Sequence, residues 1–367
     1  MKIGIDARMI GPAQTGIGIY IEQLVQALFR VGRDNNYALF IRGQLPLAGI
    51  YPPQVEIIPI TPRWYSAREQ VLLPFQFLRK KLDLLFVPHF NAPVLYPKKF
   101  VITMHDVTPL DFPATGRMPA SWRRKLFRFV AANALRRSQH IIAVSRFTKE
   151  EIVRRFDVAE KKISVIPEAP RFSKVVPDHT IIANRYALFA PYILFVGVLR
   201  PHKNALGLLE AFTLLRKIIP DVTLVLAGPE DPRYPEIRRR AARDDIRERV
   251  RVLGFVPDED MPQLFANAAC VVVPSFVEGF GLVGLEALVQ GVPVVAARAG
   301  ALGEVLGNAA FFVDPQNPKD MAQGIERVVT DRAMREKLLA QTPIILNRYS
   351  WNETAKATLA VFHKALQ

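Results

Sequence analysis

Short apolar runs alternate with amphipathic stretches along almost the whole chain. KIGIDA (Lys2–Ala7), YALFI (Tyr37–Ile41), VEIIPI (Val55–Ile60), LDLLFVP (Leu82–Pro88), KFVITMHD (Lys99–Asp106), HIIAVS (His140–Ser145) and ISVIPEAPRF (Ile163–Phe172) alternate little. They read as parallel strands buried on both faces. Between them, Ile21, Leu24, Val25 and Leu28 fall at helical spacing, as do stretches within Arg68–Leu82, Ser121–Arg137 and Thr148–Phe156. After RFSKVVPDHTIIANRYALFAP, which has no clear period, the same pattern begins again with YILFVGV (Tyr192–Val198) and runs to AAFFVDP (Ala309–Pro315). Helical spacing then covers Pro318–Val329, Met334–Ala340 and Trp351–Gln367. Alternating strands and helices predict an α/β fold of two Rossmann-like domains, each with a parallel sheet and ligands at the strand C-termini. The boundary is expected near 170–185, giving domains 1–175 and 176–350. A terminal helix, 351–367, is free to cross back and brace the first domain.

Length and composition fit this picture. At 367 residues the chain suits two domains, and its 50 % hydrophobic content gives no sign of disorder. No apolar stretch of signal-peptide length follows MKIGIDARMI, and no run is long enough to span a membrane. The single cysteine, Cys270, lies in the apolar run AACVVVP and is expected to pack in a core, in a reducing cytoplasm. Charge is unevenly spread: residues 1–175 hold 27 Lys and Arg against 13 Asp and Glu, and residues 176–367 hold 22 against 21. The basic half points to a polyanion (nucleic acid, an anionic membrane surface or a phosphate-bearing substrate) or simply to solvated charge.

One basic stretch has a shape of its own. In PASWRRKLFRFVAANALRRSQ (Pro119–Gln139), Trp122, Leu126, Phe129 and Val130 are at core spacing, while Arg123, Arg124, Lys125 and Arg128 are not. Such a helix docks on anionic lipid or a phosphate-bearing acceptor, or is a surface helix with Arg on its wet side.

The candidate chemistry gathers around VEGFGLVGLEALVQGVPVV (Val277–Val295). With Leu282 as the zero of a helical wheel, Leu285, Glu286 and Val289 fall within about 60° of it, so Glu286 stands at the edge of an apolar stripe. A carboxylate so placed needs a partner, either a ligand hydroxyl or an Arg. Glu278 lies in the preceding Gly-rich turn, where Gly279 and Gly281 let backbone approach a ligand and the helix N-terminus favours an anion. The loop VGVLRPHKN (Val196–Asn204) places Arg200, His202 and Lys203 just before a helix, which suits an anion such as a diphosphate. In the first domain, Gly16 and Gly18 stand at a helix entrance as a phosphate-cradling turn or a tight turn would. His105 and Asp106 end a strand and open the loop HDVTPLDFP. Asp258 and Asp260 have the spacing of divalent-ion ligands, but Pro-Asp-Glu-Asp before a helical pattern reads better as a cap. No zinc spacing, Walker loop or Gly-x-Ser-x-Gly is present.

Together EGFGLVGLE, GVLRPHKN, TGIGIY and MHDVTP, in their order along the chain, resemble the GT-B retaining glycosyltransferases of family 4. Within it, the opening IGIDAR…TGIG is similar to bacterial enzymes that add mannose to polysaccharide or O-antigen chains. The resemblance implies two domains facing across a cleft and closing on the donor. It implies a catalytic set of His105, Lys203 and Glu278. By it Glu278 contacts donor-sugar hydroxyls, Glu286 the ribose, and the backbone of Gly279, Phe280, Gly281 and Leu282 the sugar and phosphates. Lys203 neutralises the diphosphate with Gly197, Arg200 and His202 beside it, Phe255 and Val256 hold the base, and Gly16 and Gly18 close over the phosphates. Asp106 lies on the acceptor side. His202 stands where the family commonly has Arg, and Arg200 is the candidate to compensate.

By the same resemblance the donor is a nucleotide sugar, GDP-mannose ahead of a UDP-sugar, with no metal and no other cofactor required. The acceptor is a glycan or a lipid-diphosphate-linked glycan, and the enzyme is cytoplasmic or peripheral on the inner face of the membrane. With Glu286 assigned to the ribose, no second carboxylate is free to form a covalent intermediate. The expected transition state is oxocarbenium-like, with the departing diphosphate taking the acceptor proton. The alternatives are a non-catalytic protein binding an anionic surface or nucleic acid on the same fold, and a glycosidase or phosphorylase. A nucleic-acid partner is the least favoured.

Overall fold

The structure, a computed structural model, describes residues 1–11, 15–43, 51–62, 64, 66–112, 120–189 and 191–367. Pro12–Gln14 of the first loop, Pro113 and Pro119 therefore lie outside the described residues. The chain divides into one unit of Met1–Ala169 with Tyr349–Gln367 and another of Pro170–Arg348.

The first unit runs β1 (Lys2–Asp6), α1 (Thr15–Val31), β2 (Asn36–Ile41), β3 (Val55–Pro59), α2 (Ala67–Leu78), β4 (Leu84–Val87), β5 (Phe100–Met104), α3 (Ala120–Arg137), β6 (His140–Ala143), α4 (Arg146–Phe156) and β7 (Ile163–Val165). Its strands form one parallel sheet in the order β3-β2-β1-β4-β5-β6-β7. The central strands are buried along their length because helices cover both faces, whereas β3 at the edge is half-exposed. One face packs α1 and the C-terminal helix Trp351–Leu366, with Phe86 and Phe362 rings 5.0 Å apart. The other face packs α2, α3 and α4.

On α3 the outcome differs from the sequence expectation. Ala131, Ala134 and Leu135 are the residues that face the sheet, and Trp122, Leu126 and Phe129 are exposed. The helix carries two apolar stripes on roughly opposite sides, and the small one is buried because Ala lets the backbone sit close to the sheet.

The second unit opens with α5 (His179–Tyr186), which falls in the stretch without clear period and is capped by Asp178, accepting from Thr180 N at 2.9 Å. It continues with β8 (Tyr192–Val196), α6 (Ala205–Leu215), β9 (Thr223–Ala227), α7 (Pro235–Ala241), β10 (Val250–Gly254), α8 (Met261–Ala266) and β11 (Cys270–Val273). Then come α9 (Leu282–Val289), β12 (Val294–Ala297), α10 (Leu302–Leu306), β13 (Ala310–Val313), α11 (Pro318–Thr330), α12 (Arg332–Leu339) and α13 (Thr342–Leu346). The parallel sheet has the order β10-β9-β8-β11-β12-β13, and Cys270 is buried in its core. The last helix, α14 (Trp351–Leu366), returns to the first unit's core.

Candidate active site

In the second unit the strand order reverses between β8 and β11, so the loops that leave these two strands lie side by side. A crevice at such a switch point is where open α/β sheets bind ligands. Phe276 N donates to His202 O at 2.8 Å, and Asn204 Nδ2 donates to Pro274 O at 3.0 Å and Pro315 O at 2.7 Å. These bonds lock the basic loop against the turn that carries Glu278. Lys203 Nζ then donates to Glu278 Oε1 at 2.7 Å, and Ser275 Oγ donates to the same oxygen at 2.6 Å. Burial alone would push the Glu278 carboxyl up, but Lys203, Ser275 and nearby His202 outweigh it and hold the group below its ordinary range. Gly281, at φ 104°, forms the N-cap of α9, and no side chain caps that first turn. Its backbone N–H groups thus sit beside the ion pair.

Glu286 is buried one turn further along α9. The Arg that the sequence left open exists: Arg171 Nε donates to Glu286 Oε1 at 2.8 Å and Nη1 donates to Asp258 Oδ1 at 2.7 Å. The Arg171 guanidinium also lies over the Phe172 ring, 4.1 Å from its centroid. The cap expected of Asp258 and Asp260 is not formed. Asp260 makes no side-chain cap bond to α8 and instead accepts from Arg185 and from Tyr186 Oη, the latter at 2.5 Å. Both acids serve as anchors for the segment entering the unit.

The other predicted residues of this unit divide. Arg200 is turned to Asp231, with Nε donating to Oδ2 at 3.0 Å. Asp231 also binds Arg233, whose hydrogen bond is the main reason its carboxyl is lowered to about 2. Gly197 has φ 152°, a region side chains rarely adopt, and a Cβ at Gly228 would overlap the Gly197 carbonyl, so the fold itself favours glycine at both positions. Phe255 is exposed and Val256 buried directly after β10. Gly279 and Phe280 are buried in the turn, and Leu282 starts α9. Among the described residues, no group of three His, Cys, Asp or Glu side chains could hold a metal ion.

In the first unit the switch point lies between β1 and β4. His105, after β5, has Nδ1 3.0 Å from Glu168 Oε1 and Nε2 3.0 Å from Pro88 O. An acceptor faces each nitrogen, so the geometry suits the doubly protonated ring. Burial pulls the His105 pKa down, but Glu168, Pro88 O and Asp106 together raise it above 6.5. Asp106 Oδ1 accepts from Thr108 N at 2.8 Å and so caps the short turn that follows. Gly16 and Gly18 lie inside the first turn of α1 rather than in the loop before it. A side chain at Gly18 would overlap the backbone of Met9 and Gly11, whereas among the described residues nothing lies within 4 Å of a Cβ at Gly16.

Several partners escaped the sequence. Arg8 is buried between Asp6 (Nη2 to Oδ2, 2.7 Å) and Glu69 (2.7 Å), and Asn91 Nδ2 also donates to Glu69 at 2.7 Å. Glu168, Arg171 and Ser275 complete the list.

A parallel α/β unit with a cation, a carboxylate and a helix N-terminus at one switch point suits a phosphorylated, hydroxyl-rich ligand. The family model described as glycosyl transferases group 1 matches residues 187–343, and that described as glycosyltransferase family 4 matches residues 15–169. The O-antigen chain mannosyltransferase B of Escherichia coli is 30 % identical over 289 residues, 75 % of this chain and 72 % of that protein. A D-inositol 3-phosphate glycosyltransferase of Nocardioides sp. is 30 % identical over 61 % of this chain and 53 % of its own length. Among solved structures, sucrose-phosphate synthase from Thermosynechococcus elongatus superposes with TM-score 0.79 at 21 % identity, over 99 % of this chain and 98 % of that one. Anabaena HepE in complex with UDP and glucose gives 0.77 at 19 %, over 99 % of each chain. The chain belongs to the family 4, group 1 glycosyltransferases, with the GT-B fold and nucleotide-sugar-dependent hexosyl transfer as its chemistry.

Proposed function

We propose that this glycosyltransferase moves mannose from GDP-mannose to a glycan or lipid-diphosphate-linked glycan, with retention at the anomeric carbon. The observation that carries the reading is the Lys203–Glu278 ion pair at the β8/β11 switch point, beside the open N-terminus of α9. In this reading the cation and the amide dipoles face the departing diphosphate, and the carboxylate faces the sugar hydroxyls. Mannose is preferred because relatives such as the E. coli protein are O-antigen mannosyltransferases. The UDP and glucose bound by HepE favour a UDP-sugar as the second reading.

In this reading the second unit binds the donor. Glu278 takes sugar hydroxyls and Glu286 the ribose hydroxyls. The backbone N–H groups of Phe280, Gly281 and Leu282 meet the sugar and phosphates, and Phe255 and Val256 hold the base. The first unit is assigned the acceptor side with Asp106, and Gly16 and Gly18 are assigned to the phosphates and His105 to the reacting sugar. The bond between the anomeric carbon and the diphosphate oxygen breaks with its electron pair going to the diphosphate. The acceptor oxygen bonds to that carbon from the same face, and its proton passes to the departing diphosphate. Lys203 stabilises the negative charge that builds there.

Incubating the protein with GDP-mannose, and separately with UDP-glucose, tests this directly. Release of GDP, slow in water and faster with a glycan acceptor, supports the proposal. Release of UDP alone transfers it to the second reading, and release of neither overturns it.

A further inference from the structure

We propose that Glu168 is a positioning residue for the transfer reaction: it holds His105 as an imidazolium whose two N–H groups are both spent inside the protein. The ring then stands at the site as a fixed charge and exchanges no proton with substrate. The inference rests on the reading that His105 lies beside the reacting sugar, and goes beyond it by naming the residue that sets the state of the ring.

Glu168 follows β7, and its Oε1 lies 3.0 Å from His105 Nδ1, while Pro88 O lies 3.0 Å from Nε2. Neither oxygen has a hydrogen to give, so a neutral ring would set one lone pair against an acceptor. The His105 and Glu168 side chains are 12 % and 6 % exposed, so water screens this pair weakly. The frame around the ring is closed on several sides. Thr354 Oγ1, on α14, donates to Pro167 O at 2.8 Å and so anchors the residue before Glu168. Trp351 of the same helix lies against Tyr20, ring centroids 5.9 Å apart, and Tyr20 meets the His105 ring edge-on at 4.6 Å. Thr148 Oγ1, on α4, donates to His105 O at 3.1 Å.

The other titratable groups that face the ring fit the same state. Asp106, next in the chain, adds to the pull of Glu168. Tyr20, from α1, stays an uncharged phenol because burial pushes its pKa up. His89, after β4, lies with its ring 6.4 Å from that of His105, and burial, His105 and Arg8 hold its pKa well down. Its Nδ1 accepts from Asn91 N at 3.4 Å, as an uncharged imidazole can. The two histidines therefore carry one positive charge, and His105 holds it. A general acid or base needs a nitrogen within hydrogen-bond reach of the group it serves. Both nitrogens of His105 already face protein oxygens.

The tests use the full chain. At pH 6.5, NMR of the ring nitrogens should show an imidazolium at His105 in the wild type, and both nitrogens should keep their protons when GDP is added. A bare nitrogen in either spectrum overturns the proposal, and neither spectrum needs turnover. In donor hydrolysis, Glu168→Gln should lower kcat about 10–100-fold with donor KM little changed, the range found when the carboxylate that orients a metal-bound His is lost. The alkaline limb of its pH–rate profile should move to lower pH, because the ring then gives up its proton earlier. Glu168→Asp keeps a carboxylate and should return the limb toward its wild-type place. A smaller folded fraction scales the whole profile and moves no limb, so misfolding cannot imitate this result. An unmoved limb in Glu168→Gln overturns the proposal, as does equal displacement in Glu168→Asp. Release of no nucleotide by the wild type strikes the transferase reading instead, and the ring spectra still decide the state of His105.

Discussion

Arg171 and Glu286 form a buried ion pair, Nε to Oε1 at 2.8 Å, although 115 residues separate them. The sequence offered a ligand hydroxyl or an Arg as the partner of Glu286, and the fold supplies the Arg. The Arg171 guanidinium also orients the carboxylate. Removing the Arg from a buried pair leaves an uncompensated charge, which costs about 3–5 kcal/mol. Arg171→Gln should therefore destabilise the protein strongly in urea, while Arg171→Gln with Glu286→Gln recovers part of the loss. A double-mutant cycle should give a coupling of about 1–3 kcal/mol. Additive losses would show that the pair contributes nothing. In the single variant Glu286→Gln, a raised donor KM is expected, and unchanged donor affinity and turnover would remove the ribose assignment.

Lys203→Ala should lower kcat by about 10²–10³, the range for losing one group that stabilises transition-state charge. Glu278 would lose the cation that counters its burial, so its carboxyl should move upward and the acid limb of the pH–rate profile with it. Near-normal turnover would refute the assignment of the leaving-group cation.

His105 yields a pH prediction with a definite sign. Its folded pKa is raised above 6.5, so folding takes up a proton there. The stability this contributes is fully present below pH 6.5 and fades as pH rises through the folded value. Denaturant midpoints should fall over that window in the wild type and stay flatter in His105→Gln. Titration of the ring by NMR should give a midpoint above 6.5 that drops when Glu168 is changed to Gln.

The two glycines at the start of α1 should behave oppositely. Gly18→Ala drives a methyl into the backbone of Met9 and Gly11 and should cost about 1–3 kcal/mol. Gly16→Ala meets nothing among the described residues and should be neutral or stabilise the helix by about 0.5–1 kcal/mol. A fall in activity in a fully folded Gly16→Ala variant would show that a ligand approaches that backbone; unchanged activity would assign Gly16 to the helix alone.

Much of the architecture was legible because parallel strands buried on both faces write themselves as unbroken apolar runs. Their ends were not: KFVITMHD and ISVIPEAPRF read longer than β5 and β7, and past β7 Ile166 and Ala169 stay buried in the core although the strand has ended. α3 was misread on its faces because spacing alone cannot say which of two apolar stripes meets the sheet. The short helices α10 and α13 offered too few turns for a period to show. At the site, Glu278 and Lys203 were visible through their Gly-rich and basic loops. Glu168 and Arg171 were not, because their partners lie 63 and 115 residues away and no local pattern marks a residue whose role is to hold another.

The placement of α14 has a consequence for synthesis on the ribosome. The part of the first sheet's face beside α1 that holds Phe86 stays open until Phe362 and its helix have emerged, after the whole of the second unit. The continuous second unit can close its core as soon as it is made, whereas the first, begun earlier, must wait with an apolar face uncovered. Loss of Trp351–Leu366 should therefore leave a chain that chaperones retain, with the donor-side unit folded and the earlier-born half unfinished.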